Sequence, residues 1–250
     1  VSGTVSVRDI TAHVHTSDNR RVGIGAFPIA IDPTPFLVDV DKAAVRSELG
    51  DPDHIILGVD RLDYTKGILQ RLRALEELHE ADMMPPRTVF LQIATPSRER
   101  IDHYRQTRNM VEQAVGRING RFGSLGSQVV LYQHQSFDRE RLVKLYATAD
   151  IMLVTPFKDG MNLVAKEYVA CHGDGSGALV LSEFAGAAEE LSEAFLCNPF
   201  DVESIKQQLL AALSASPAEK RARMLRMHEQ VISHDVNVWA TAFLRCLTLG

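Results

Sequence analysis

Cysteine is scarce in this 250-residue chain: Cys171, Cys197 and Cys246 are odd in number, far apart, and form no CxxC pair. That excludes a disulfide framework or zinc ribbon and points to a reducing compartment, the cytoplasm. Long apolar runs are missing too, none approaching the ~20 residues that span a bilayer, so no membrane partner is expected. The opening Val1-Ser2-Gly3-Thr4 lacks the charged-then-apolar plan of a signal peptide. Basic residues are outnumbered, 27 Lys and Arg against 32 Asp and Glu, for a net charge of −5. This argues against a nucleic-acid surface and leaves room for a local cationic pocket. The nine His residues show no HExxH spacing, so no metal site is expected. Neither a GxSxG elbow nor a GxxxxGK[ST] loop occurs, which argues against hydrolase and P-loop chemistry.

What is present is the composition of a packed globular protein, 45% hydrophobic and 24% charged. At ~150 residues per domain, the length fits one large domain plus part of another. The chain opens with Val inside a strand-like pattern, as a piece of a longer protein would. Residues 4–31 read as extended, through Thr4-Val5-Ser6-Val7, Ala12-His13-Val14-His15 and Val22-Gly23-Ile24-Gly25-Ala26-Phe27. Pro33 and Pro35 break that pattern, and a helix capped by Asp41 and stopped at Gly50 follows.

From His54 onward, short apolar runs alternate with helical patterns. The runs are Ile55–Val59, Val89–Ile93, Val129–Tyr132, Ile151–Val154, Ala178–Leu181 and Phe195–Cys197; the helices lie near 67–81, 98–116, 138–148, 161–172 and 185–192. Such runs suit strands covered on both faces. The β-then-α order predicts an α/β fold, a doubly wound parallel Rossmann-like sheet with right-handed crossovers. An extended amino-terminal remnant and a helical tail flank it. Asp201 caps one tail helix, and Ser216-Pro217-Ala218-Glu219 forms a capping box for the next. In the last helix Trp239, Phe243 and Leu247 share a face, with Trp239 a packing anchor. Residues 1–35 then end a preceding domain and hinge, 36–234 form the sheet domain, and 235–250 the last helix.

In open α/β sheets ligands bind beyond the carboxyl ends of the strands. After the first strand, Asp60-Arg61-Leu62-Asp63-Tyr64-Thr65-Lys66-Gly67 places two cations before a helix start, an arrangement suited to a pyrophosphate. The plainer alternative is a polar loop with a surface ion pair among Asp60, Arg61 and Asp63. After the second strand, Ser97 caps a helix whose first turn carries Arg98 and Arg100, the end that a helix dipole disfavours for cations. Either a bound anion compensates, or Glu99, Asp102 and solvent do. The most informative stretch is Thr155–Tyr168. Asp159 precedes Gly160, a helix begins near Met161, and Glu167 lies two turns in. These carboxylates, eight residues apart, are spaced to grip two parts of one ligand, Asp159 a sugar and Glu167 a ribose, with the helix N-terminus facing phosphate. The alternative is an N-capping Asp and a surface Glu paired with Lys166 or a neighbour. In Ser182–Glu190 the small residues permit either close packing or ligand approach.

Val59–Gly67, Gly116-Arg117-Ile118-Asn119-Gly120, Asp159–Ala170 and Ser182–Ala188, in this order between about Arg21 and Leu247, resemble the trehalose-6-phosphate synthase family. The resemblance implies the carboxy-terminal, donor-binding half of a GT-B glycosyltransferase. Such an enzyme moves glucose from UDP-glucose, or another NDP-glucose, to glucose 6-phosphate with retention. By resemblance Arg61 and Lys66 meet the donor diphosphate, Asp159 the transferred glucose and Glu167 the ribose. The backbone at Gly160, Met161, Asn162 and Leu163 meets sugar and phosphate, Phe137 and Leu142 hold the uracil, and Arg98 reaches the acceptor phosphate. The implied mechanism is a front-face displacement without cofactor, metal or protein nucleophile. The implied partner is an amino-terminal domain that supplies most acceptor contacts; a homo-oligomer stays open. Phe157-Lys158 stands where Leu-Arg is common in the family, and the hinge after Asp32 is short. Two alternatives remain: a transferase with another acceptor, such as glycerol 3-phosphate or a pseudo-glycosidic coupling partner, and a silent regulatory module of the same fold. Alone, the chain is expected to bind a nucleotide sugar with little or no transfer.

Overall fold

The six apolar runs become six parallel strands: β3 (His54–Arg61), β4 (Thr88–Thr95), β5 (Val130–Gln133), β6 (Ile151–Val154), β7 (Ala178–Ser182) and β8 (Phe195–Cys197). Before them, β1 (Ala12–His15) and β2 (Arg21–Ile24) pair as a separate antiparallel hairpin. The computed structural model describes residues 12–18, 20–97 and 102–248. The large sheet runs β5-β4-β3-β6-β7-β8. The four inner strands are nearly continuous in buried residues because helices cover both faces, whereas the edge strands β5 and β8 are only partly buried.

One face packs α1 (Lys42–Glu48), α4 (Arg139–Thr148), α5 (Leu163–Ala170) and α7 (Pro217–Ser233) against Leu57, Val59, Met152 and Val154. The opposite face packs α2 (Ile68–Glu80), α3 (Asp102–Phe122) and α6 (Val202–Ser214) against Ile56, Phe90, Leu153 and Val180. Most helices start where a short polar side chain satisfies an orphan N–H. Asp41 accepts from the Ala44 N–H at 3.0 Å, Asp138 from Arg141 at 2.8 Å, Asp201 from Glu203 at 3.0 Å and Ser216 from Glu219 at 3.2 Å. In α8 (Val236–Thr248), the Trp239 indole donates to the Phe27 carbonyl at 3.0 Å and the Phe243 ring meets Phe27 edge-on. The tail thereby anchors the amino-terminal segment.

Four local expectations change. The helix expected at 185–192 is a 3-10 turn, Gly186–Glu189, because the Gly186 and Ala187 N–H groups bond to the Asp159 and Met161 carbonyls of the neighbouring loop. The strand expected to reach Phe27 ends at Ile24. The helix expected near Met161 starts at Leu163. Finally, α3 runs past 116 to Phe122, so Gly116 and Gly120 are helical. Asn119 then latches the helix end onto β5, accepting from the Val129 and Val130 N–H groups at 3.1 and 2.9 Å and donating to the Val130 carbonyl at 2.8 Å. That motif serves the fold.

Candidate functional site

Successive strands step outward from β3 in one direction, to β4 and β5, and from β6 in the other, to β7 and β8. The chain therefore reverses direction between β3 and β6, which makes their carboxyl ends the switch point where such sheets bind ligands. Both sequence-predicted loops lie there.

In the first loop Asp63 is buried and accepts from the Thr65 N–H and hydroxyl, both at 2.9 Å, fixing the 3-10 turn Tyr64–Lys66. Burial pushes the Asp63 carboxyl up, but the Thr65 and Tyr104 hydrogen bonds and the Arg61 charge outweigh it and hold it below its ordinary value. Gly67 follows with φ +66°, and a Cβ there would lie 2.2 Å from the Thr155 carbonyl oxygen. Only glycine meets both the left-handed backbone and this contact between the two loops. The Phe157 N–H closes the junction on the Thr65 carbonyl at 2.8 Å.

These contacts bring Lys66 Nζ to 2.8 Å from Asp159 Oδ2. Asp159 also accepts from the Asn162 amide at 3.2 Å and the Met161 N–H at 3.3 Å. Burial pushes its carboxyl up; Lys66 first, then Met161 and Asn162, more than compensate and hold it below the ordinary carboxylate value. Its backbone is clamped from the other side. The Asp159 N–H donates to the Phe184 carbonyl at 3.2 Å, and the Gly186 N–H donates to the Asp159 carbonyl at 3.0 Å. The small residues after β7 thus serve close packing. Asp159 is not the helix cap; Asn162 is, accepting from the Ala165 N–H at 3.0 Å with φ +81°, a strained conformation that Asn tolerates better than most residues.

Arg61 ends β3 exposed, and among the described residues no hydrogen bond or ion pair holds its guanidinium. Asp60, in contrast, is buried and pairs with Arg71 of α2 at 2.6 Å, so the surface ion pair among Asp60, Arg61 and Asp63 does not form. Glu167 faces α4 and accepts from the Tyr146 hydroxyl at 3.0 Å. Burial pushes its carboxyl above the ordinary value, only partly offset by Tyr146 and Arg139. Lys166 is spoken for elsewhere, by Glu190 and the Ile29 carbonyl, each at 2.9 Å. Phe137 and Leu142 are half-buried around the start of α4, packed on the same core as Met161. Leu163 opens α5, and Gly160 is exposed just before it. Arg98 lies outside the described residues. Among the described residues, no three His, Cys, Asp or Glu side chains gather as a metal site, and no helix is long and apolar enough to cross a membrane.

Sequence reasoning missed Arg71, Thr155 and Tyr146. Arg71 carried a readable signal: it falls three residues after Ile68 and four before Leu75, on the apolar face of α2, where an exposed arginine has no place. Tyr146 and Thr155 carried none.

A doubly wound parallel sheet with these loops at its switch point is a Rossmann-like domain of the GT-B type. The chain belongs to glycosyltransferase family 20, whose model matches residues 4–248. It is 51% identical over 98% of its length to a trehalose-6-phosphate synthase of Mycobacterium avium, and covers 51% of that protein. Its fold matches an α,α-trehalose-phosphate synthase (UDP-forming) from Burkholderia xenovorans, solved in complex with glucose-6-phosphate: TM-score 0.85, 38% identity, 92% of this chain and 52% of the other. A trehalose-6-phosphate enzyme from E. coli, bound with UDP-2-fluoro glucose, matches at TM-score 0.83 and 36% identity over 94% of this chain and 55% of the other. The chain spans about half the length of the relatives it matches.

Proposed function

We propose that the chain is the donor-binding part of a retaining glucosyltransferase, moving glucose from UDP-glucose, or another NDP-glucose, to glucose 6-phosphate to make trehalose 6-phosphate. One observation carries this reading: Lys66 grips Asp159 across the switch point, while Arg61 at the exposed end of β3 has no hydrogen bond or ion pair among the described residues. An ammonium has three donors, so Lys66 can keep Asp159 and still bind a phosphate oxygen. Gly160 supports the reading as well. It is exposed, its φ lies outside the left-handed range, and a Cβ there would meet nothing within 4 Å. No neighbour in the protein demands a glycine, and close approach of a ligand supplies the reason.

In the proposed reaction the anomeric hydroxyl oxygen of the acceptor bonds to the glucose anomeric carbon as the carbon–oxygen bond to the diphosphate breaks. The acceptor proton passes to the departing phosphate on the same face. Arg61 and Lys66 meet the charge growing on that phosphate, and Asp159 and the backbone of residues 160–163 orient the sugar. Glu167 takes the ribose, Phe137 and Leu142 the base, and Arg98 the acceptor phosphate. No metal or cofactor is assigned a role. Acceptor contacts beyond Arg98 come from the other half of the longer protein, to which residues 1–35 and 235–250 lead from the domain at 36–234. The ligands named for the Burkholderia and E. coli relatives support both substrate classes, and the cytoplasm is the proposed compartment.

Calorimetry with UDP-glucose, GDP-glucose and ADP-glucose tests the donor site. One of the three is expected to bind, and Lys66→Ala or Arg61→Ala to weaken it by about 1.5–3 kcal/mol, the worth of a charged hydrogen bond. Binding of none of them overturns the reading.

A further inference from the structure

Arg71 is wholly buried, and its guanidinium reaches four separate parts of the chain. Nη1 donates to Asp60 Oδ2 at 2.6 Å and to Gln92 Oε1 at 3.1 Å, Nε donates to the Thr155 hydroxyl at 2.7 Å, and Nη2 donates to the Lys66 carbonyl at 2.7 Å. These partners come from β3, β4, the residue after β6, and the first site loop. Room for the head group is built in: a Cβ on Gly58 would lie 2.7 Å from Arg71 Nη1. Gln92 is itself held, its amide donating to the Ile93 and Gly58 carbonyls at 3.0 and 3.3 Å, which turns its oxygen toward Arg71. One planar group therefore ties the backbone of Lys66 to the strand end four residues before Asp159. Stability alone does not call for this, since apolar packing serves a core as well as a buried charge pair or better.

We infer that Arg71 is a positioning residue that sets the separation of the Lys66 and Asp159 loops, and with it the grip on the distal phosphate of the donor. The inference rests on the donor-site reading above. Lysine would keep the charge but lose the flat fork of donors that spans both loops.

The test is calorimetry of the protein with UDP and UMP, because only UDP carries the distal phosphate. For Arg71→Lys the UDP-to-UMP affinity ratio is expected to fall about tenfold while UMP binding holds. Thr155→Val keeps the side-chain shape and removes only the hydroxyl that Arg71 uses; it should lower the same ratio a few-fold. Circular dichroism checks folding, and Thr155→Val decides alone if Arg71→Lys does not fold. A ratio equal to wild type, or parallel loss of UDP and UMP as general loosening would give, overturns the inference. A wild-type protein that does not prefer UDP to UMP removes the donor-site reading itself, and this shows before any variant is made.

Discussion

Helix α2 carries two charge networks on opposite faces. On the inner face Arg71 and Asp60 are almost fully buried, side chains 0% and 3% exposed, and the guanidinium joins β3 and β4 to the loops that leave β3 and β6. On the face toward α3 Glu76, its own side chain only 11% exposed, takes Arg117 at 2.7 Å and Arg121 at 2.9 Å, with the arginines 54% and 43% exposed. That cluster borders a groove of about 460 Å³ between α2 and α3. Both networks pair arginine with carboxylate; water separates them. Outside, solvent screens the pairs and replaces any partner that leaves. Inside there is no substitute, so the inner network transmits position from one loop to another and the outer one does not.

The comparison breaks most visibly at Asp60. Asp60→Ala strands the Arg71 charge and should cost about 3–5 kcal/mol in urea denaturation; a loss comparable to a surface substitution would erase the distinction. His172 offers a buried titrating group without a charged partner at bonding distance. Burial drives its imidazole down to about 4, against a weaker opposing bond from its Nδ1 to the Tyr168 carbonyl. Between pH 6.5 and 4 the unfolded chain binds a proton that the folded one refuses, so stability falls as pH drops, by about 3 kcal/mol in all. His172→Gln should flatten that slope in denaturation curves taken across the range.

Next in size is the ligand's own pH dependence. In the proposed role an ionised Glu167 accepts from the ribose more strongly than a neutral one, and its carboxyl titrates above the usual value. Affinity for UDP-glucose should therefore begin to fall at a higher pH than for an ordinary glutamate, levelling off once the carboxyl is neutral. Glu167→Gln should bind more weakly and without this titration; an unchanged profile would take Glu167 out of the ribose role. The smallest effect is expected outside. Glu76→Ala should cost about 1 kcal/mol or less, and less still in molar salt. A cost matching Asp60→Ala would show that the outer cluster is structural after all.

How far the chain could be read without coordinates follows the same line. All six strands of the large sheet stood out as apolar runs, and Asp41, Asp201 and Ser216 cap helices by contacts only two or three residues long. The loops bearing Arg61, Lys66 and Asp159 were found from strand ends alone. The 185–192 stretch misled because its alanines favour helix, while bonds from Gly186 and Ala187 to the Asp159 and Met161 carbonyls pull it into a tight turn. The Gly116–Gly120 motif drew attention as a family mark, yet Asn119 spends its amide on β5.

Local order was written in the residues: period, caps and breakers act within a turn or two, so most element types and their succession could be read directly, while the family came from the resemblance of a few motifs. Packing alone chose the partners. Lys66 meets Asp159 across 93 residues and Arg71 meets Thr155 across 84. No short-range preference selects such pairs, and they exist because the sheet's reversal sets two strand ends side by side.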